Sequence, residues 1–263
     1  METKIENKKP KILAIVNQKG GVGKTTTAIN LATAMSAVKK RVLLIDLDPQ
    51  GNASTGLGIE NDQRLKTIYE VLIGENKASE AIINTKIPNL KIIPATVDLS
   101  ASEVELVSVE KREYLLKNTL QEVNNDFDVI IIDCPPSLGL LTINALTACN
   151  SILIPMQCEF FSLEGLSHLI NTVSLIKDNL NNDLEISGII LTMHDKRNKL
   201  TEQVEEDVRS FLGDKVYENY IPRNVRLSEA SSYGLPGVLY DSKSTGSVAY
   251  LKLAKEIIER EKI

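Results

Sequence analysis

"KILAIVNQKGGVGKTTTAIN", Lys11 to Asn30, is the stretch on which the fold turns. An apolar run rich in β-branched residues, 11–17, leads into three glycines and then into 24–38, where Ile29, Leu31, Ala32, Met35 and Val38 fit a helix. A strand that feeds a glycine-rich turn and then a helix lets backbone N–H groups converge on phosphate oxygens. On this reading Gly20, Gly21, Val22, Gly23, Lys24, Thr25 and Thr26 cradle a nucleotide's phosphates. Lys24 reaches the terminal phosphates and the Thr25 hydroxyl ligates Mg²⁺. The bland alternative is a structural strand-to-helix turn.

Working outward, short apolar runs recur at 41–46, 90–95, 127–133, 151–156 and 186–193. Their near-continuous hydrophobicity suits a parallel sheet covered on both faces. Between them lie helical patterns at 110–124, 139–149, 163–180, 201–212 and 245–260, and Thr67 with Glu70 has the spacing of a capping box. Alternating strands and helices predict an α/β fold, a doubly wound, mostly parallel sheet with helices on both faces, and a ligand at the carboxyl ends of the strands. We expect one domain over 11–263 after a disordered tail of residues 1–10.

Composition narrows the function classes. With 263 residues, 43% hydrophobic and 25% charged, the chain reads as globular, and a net charge of −5 argues against the strong basic field of a constitutive nucleic-acid binder. The three cysteines, Cys134, Cys149 and Cys158, are widely spaced in apolar surroundings, which suits buried thiols in a reducing compartment. No secretion signal or membrane span is legible, so a cytoplasmic protein is expected. The basic run at 38–41 reads as a solvated helix end. His168 and His194 have no ligand partners at suitable spacing and read as core or surface residues.

The phosphate loop departs from the ordinary Walker A pattern, because Gln18 stands where its first glycine belongs and Lys19 precedes the glycine pair. This K-G-G-x-G-K-[ST] loop resembles the deviant Walker A loop of the ParA/MinD group of phosphate-loop NTPases. "LLIDLDPQGNAST" (43–55), "DVIIIDCPPSLGLLTINAL" (128–146), "IPMQCEFFSLEGL" (154–166) and "YIPRNVRLSEA" (220–230) look like the ParA/Soj partition ATPases at matching places across nearly the whole chain. The resemblance implies an ATPase with ATP and Mg²⁺ as cofactors, slow intrinsic turnover and an ATP-sandwich homodimer. It also implies nonspecific binding of double-stranded DNA on the nucleoid, and a ParB-like centromere-binding partner that stimulates hydrolysis.

Asp133 ends an apolar strand as a Walker B aspartate does and can hold Mg²⁺ directly or through water. Asp46 and Asp48 share a face if their strand continues to Pro49, and residue chemistry alone does not rank them. By resemblance Asp48 positions the attacking water, with Asp46 nearer the metal. Lys19 is expected to cross to the partner subunit's phosphates, as an arginine finger does elsewhere. In the segment that resembles the family's base pocket, Pro222 offers a rigid apolar face and Asn224 an amide for the adenine edge. Arg197 and Arg226, and more weakly Arg223, match DNA-contacting positions; surface ion pairs are the alternative. Three rivals remain: a MinD-like membrane-cycling regulator, an iron–sulfur electron carrier and a catalytically silent adaptor. The first carries a C-terminal amphipathic, basic segment with bulky apolar residues, whereas here the chain ends in mixed charge and Val248, Leu251, Ala254 and Ile258 read as a stripe packed on the protein's own body.

Overall fold

The computed structural model describes residues 9–159 and 162–263. Most of the expected N-terminal tail, residues 1–8, and the Phe160–Phe161 pair of the family-like segment lie outside the described residues.

Along the first half the order is β1 (Lys11–Ile15), α1 (Lys24–Ala37), β2 (Val42–Asp46), α2 (Asn52–Gly56), α3 (Ile68–Leu72), α4 (Ala78–Ala81), β3 (Ile83–Asn84), β4 (Leu90–Ile93) and α5 (Leu99–Glu105). There follow α6 (Leu115–Leu120), β5 (Val129–Asp133), α7 (Leu140–Ala148), β6 (Ser151–Gln157), α8 (Ser162–Asn179), β7 (Glu185–Thr192), α9 (Lys199–Leu212), α10 (Val225–Ser232), α11 (Gly237–Tyr240) and α12 (Thr245–Glu261). The strands form one sheet in the order β3-β4-β2-β5-β1-β6-β7. All neighbours run parallel except β3, a two-residue antiparallel edge on β4. An edge so short offers little unpaired backbone to another chain.

Alternation along each strand builds two apolar layers. Ile12 and Ala14 of β1, and Val16 just after it, enter one layer with Leu141 and Ala145 of α7 and Leu166, Leu169 and Val173 of α8. Leu13 and Ile15 enter the other with Ala28, Leu31 and Met35 of α1 and Tyr250, Leu253 and Ile257 of α12. Both faces of β2 and β5 are buried throughout, which is why those strands read as unbroken apolar runs. β1 lies between β5 and β6, so the loop that leaves its carboxyl end is flanked by the ends of both.

Local signals hold where they depend on neighbours. Thr67 accepts from Tyr69 N at 3.2 Å while Glu70 accepts from Thr67 N at 2.7 Å, the expected capping box at the start of α3. Two expectations need correction. The pattern at 110–124 forms only a 3₁₀ turn and the six-residue α6, followed by turns. The buried stripe of α12 is Tyr250, Leu253, Ala254 and Ile257, whereas Val248 and Leu251 are each 38% exposed. Both stripes have helical spacing; the large Tyr250 ring decides between them, its hydroxyl meeting Thr27 Oγ1 at 3.0 Å inside the core. Leu253→Ala should therefore cost about 2–5 kcal/mol in denaturant unfolding and Leu251→Ala less than about 1 kcal/mol. Equal costs would place the stripe wrongly.

Candidate nucleotide-binding site

The loop after β1 owes its shape to two glycines with positive φ, Gly21 at 74° and Gly23 at 86°. A side chain at either would be strained in this left-handed region. Gly23 stands immediately before α1, and no side chain caps that helix. The first N–H groups of α1 are thus open to an anion.

Neighbouring strands brace the loop from behind. Asn17 Nδ2 donates to Pro155 O at 2.7 Å, Gln157 Nε2 to Gly21 O at 2.8 Å and Thr192 Oγ1 to Val22 O at 2.7 Å. Carbonyls that would otherwise face a phosphate are turned away and satisfied, which leaves the N–H groups forward. Lys24 is buried, and its Nζ donates to Lys19 O at 3.1 Å. Burial lowers its pKa, with Asp133 the foremost charge acting against that shift. Lys19 faces elsewhere: its side chain is 44% exposed and its ammonium pairs with Glu159. One lysine is therefore built into the site and the other lies at its rim.

Asp46 and Asp133 are register partners at the ends of β2 and β5, both fully buried. Asp46 Oδ2 accepts from Ser54 N at 2.8 Å and Ser54 Oγ at 2.7 Å, and Oδ1 accepts from Asp48 N at 3.3 Å. Its burial pushes the carboxyl up to about 6 against those hydrogen bonds. Asp133 differs: both oxygens are buried, within reach of the Thr25 hydroxyl but in no well-formed hydrogen bond. Burial first, and the neighbouring Asp46 next, raise this carboxyl well above its ordinary value.

A cation is the group such an orphaned carboxylate fits. No cluster of three or more His, Cys, Asp or Glu suited to a metal occurs among the described residues. Mg²⁺ in phosphate sites takes one or two carboxylates, with water and phosphate as its other ligands. Thr25 and Asp133 suit this role. Asp46, also expected at the metal, has its oxygens engaged by Ser54 and Asp48.

β2 ends at Asp46, so Asp48 is carried by a turn, not by a continued strand. Gly51 N donates to Asp48 O at 2.9 Å, and Asp48 Oδ1 accepts from Gln50 N at 3.0 Å. Asp48 is buried and acts electrostatically on both Lys24 and Asp133.

Pro222 and Asn224 follow a bridge in which His194 pairs with Pro222, so they lie beyond the end of β7. Asn224 Oδ1 accepts from Arg226 N at 2.9 Å as the cap of α10, and its Nδ2 donates to Thr245 Oγ1 at 2.8 Å. Its amide is thus already engaged, with one N–H and one lone pair left for a base. Arg197 forks onto Asp195 at 2.9 and 2.8 Å and Arg226 donates to Glu229 at 2.8 Å, while Arg223 is exposed and its charge bears on Asp195. His194 is buried against Glu205 at 2.6 Å, and all three cysteines are buried.

Glu159, Gln157, Thr192, Asn17, Ser54 and Arg64 were not singled out by sequence reasoning. Their partners lie far along the chain or within an irregular loop, where periodicity carries no signal. Only the segment likeness around 154–166 pointed near Gln157 and Glu159.

A glycine loop braced by strands, a buried lysine and an orphaned carboxylate beside a threonine hydroxyl define a phosphate-loop nucleotide-binding protein of the deviant-loop class. A family model described as an AAA domain matches residues 10–186. The chromosome partitioning protein ParA of Caulobacter vibrioides is 56% identical over 254 residues, 96% of this chain and 95% of that protein. The sporulation initiation inhibitor protein Soj of Bacillus subtilis is 55% identical over 247 residues, 94% and 98% of the two chains. The chain belongs to the ParA/Soj family of chromosome-partitioning proteins. Among solved structures, a cobyrinic acid a,c-diamide synthase from Mycobacterium smegmatis with bound ATP analog and magnesium is 36% identical, covers 96% of both chains and superposes with a TM-score of 0.85.

The raised Asp46 carboxyl has a signed consequence. A folded-state pKa above the unfolded value means that the folded protein binds the proton more tightly, so stability falls as pH rises through the shifted range. The stability of the nucleotide-free wild type relative to Asp46→Asn should decline between about pH 4 and about pH 7 in urea unfolding. A difference that is constant with pH would contradict this.

Proposed function

We propose that this chain is a partition ATPase that binds Mg²⁺ and ATP, pairs through its nucleotides, binds DNA nonspecifically as a dimer and is released by hydrolysis. Family membership supports that cycle, and the contrast between the two lysines carries the step that makes it a switch. Lys24 is enclosed with Asp48 and Asp133, whereas Lys19 stands exposed at the rim, tied only through an ion pair with Glu159. Exposed pairs of this kind are worth at most about 1 kcal/mol, so a stronger anion displaces the carboxylate.

In the paired form Lys19 would reach the partner subunit's phosphates and neutralise charge as it develops, while Lys24 holds its own subunit's β and γ phosphates. Asp48 orients the attacking water. Thr25 and Asp133 would hold the metal, with Asp46 behind them fixing the loop through Ser54 and Asp48 N. Bound Mg²⁺ supplies charge neutralisation at the phosphates. Pro222 and Asn224 contact the base. Because catalysis needs a second subunit, turnover by the isolated chain is slow and a ParB-like partner accelerates it by favouring the aligned pair.

For DNA, Arg197, Arg223 and Arg226 are exposed, and the present partners of Arg197 and Arg226 are exchangeable surface carboxylates. A dimer would align two such sets despite the net charge of −5. On this reading the protein acts on the nucleoid. No helix among the described residues is long and apolar enough to cross a membrane, and Tyr250, Leu253, Ala254 and Ile257 of α12 are packed on the core.

Lys19→Gln should bind ATP with an affinity within about threefold of wild type yet fail to dimerise in sedimentation and lose partner-stimulated hydrolysis, whereas Lys24→Gln should lose ATP binding itself. Full stimulated activity in Lys19→Gln would overturn the proposal. Arg197→Ala and Arg226→Ala should each weaken ATP-dependent DNA binding and reduce the magnitude of its salt slope by about 1 per removed contact, read by fluorescence anisotropy at several salt concentrations.

A further inference from the structure

Arg64 is a buried arginine that makes no ion pair among the described residues. Each of its hydrogen bonds goes to a neutral oxygen. Nε donates to Ile59 O at 3.1 Å, Nη1 to Ala95 O at 3.2 Å and to Gly51 O at 3.5 Å, and Nη2 to Ile59 O at 2.7 Å and Thr55 Oγ1 at 2.8 Å. The planar fork is satisfied at every donor it has.

Three of those acceptors span the segment that directly follows Asp48, and the fourth lies at the end of β4. Gly51 closes the Asp48 turn, Thr55 lies in α2, Ile59 ends the segment and Ala95 follows β4. The approach is close: a Cβ built on Gly51, itself at φ 63°, would fall 2.6 Å from Nη1 and 2.9 Å from Ala95 O. Ser54 adds a second tie, accepting from Ala95 N at 3.2 Å while donating to Asp46. A buried cation without a carboxylate partner is an expensive way to hold a loop, and an apolar side chain of similar volume would normally serve stability better. What the guanidinium supplies that an apolar group does not is direction, several carbonyls fixed at once in one plane.

We propose that Arg64 is a positioning residue for hydrolysis: it clamps the Gly51–Ile59 loop to the end of β4 and thereby fixes Asp48 where the attacking water is held. The proposal rests on the reading that Asp48 orients that water. None of the hydrogen bonds of Arg64 goes to the phosphate loop, Thr25 or Asp133, so its loss should affect kcat and leave ATP binding intact.

Partner-stimulated hydrolysis decides the matter when measured per nucleotide-binding site. Arg64→Met should lower kcat about tenfold with KM for ATP unchanged within about twofold, since misplacement alone carries that loss. Arg64→Lys should recover only part of the rate, because an ammonium cannot span the same set of carbonyls. Amide hydrogen exchange should quicken across 48–58 and not in the phosphate loop. A merely structural arginine would lower the melting temperature and the active fraction without changing kcat per site.

Should Arg64→Met fail to fold, Thr55→Val carries the test: Thr55 is exposed, and loss of its hydroxyl should reduce kcat about two- to fivefold at constant KM. An unchanged kcat there, or in Arg64→Met, overturns the proposal. Asp48→Ala separates the two ideas. If Asp48→Ala hydrolyses ATP normally, the reading of Asp48 fails. If Asp48→Ala is inactive while Arg64→Met is as fast as wild type, the reading stands and the role of Arg64 falls. Adding Arg64→Met to Asp48→Ala should lower hydrolysis no further.

Discussion

Two carboxylates held in register, Asp46 on β2 and Asp133 on β5, meet in the dry interior at the ends of adjacent strands, and the rest of the site is arranged around that repulsion. Burial raises both carboxyls; Asp46 raises Asp133 further, and Asp48 adds to the rise of Asp46. The protein answers each differently. Asp46 is given a hydroxyl and two backbone N–H groups and becomes an anchor for the loop behind the site. Asp133 is left without such partners, facing Lys24 and Thr25, and is thereby reserved for a cation. Parallel pairing of β2 with β5 forces the encounter, so the topology of the sheet and the chemistry of the site are one constraint.

That division explains why the surrounding loops are so heavily tied. The phosphate loop is gripped by Asn17, Gln157 and Thr192, each using a side chain to satisfy a backbone carbonyl. The Asp48 loop is gripped by Asp46, Ser54 and Arg64. Preorganised donors are effective because they need not be rearranged when charge develops. Lys19 is the exception. It is held by one exposed carboxylate at the edge of the site, a weak tether suited to a group that must change partners.

The sequence made the core of this legible and its supports illegible, for one physical reason. Unbroken apolar runs, the glycine-rich loop, Asp46 and Asp133 at their strand ends and the Thr67–Glu70 cap are local patterns, and each appears where it was expected. The braces are not local: Asn17 reaches Pro155 across 138 positions and Thr192 reaches Val22 across 170. Arg64 lies in an irregular loop, where a charged residue reads as solvated until its surroundings are known. In α12 two apolar stripes compete at the same spacing, and only the hydroxyl contact between Tyr250 and Thr27 on α1 selects the buried one. Asn224 shows the reverse limit, since its amide, legible as a base reader, is engaged in capping α10 and bonding Thr245.

The central claim is that each catalytic centre is completed by the other subunit's Lys19. Mixing two separately inactive variants, Lys19→Gln and Asp48→Ala, tests it most directly. In a mixed pair one centre would keep its own Asp48 and receive Lys19 from across the interface. Each mixed pair should then hydrolyse ATP at about half the partner-stimulated rate of a wild-type pair, so that the mixture outpaces the sum of the two variants measured alone. If Lys19 instead serves the nucleotide of its own chain, both centres of a mixed pair remain defective. A mixture no more active than the sum of its parts would contradict the account.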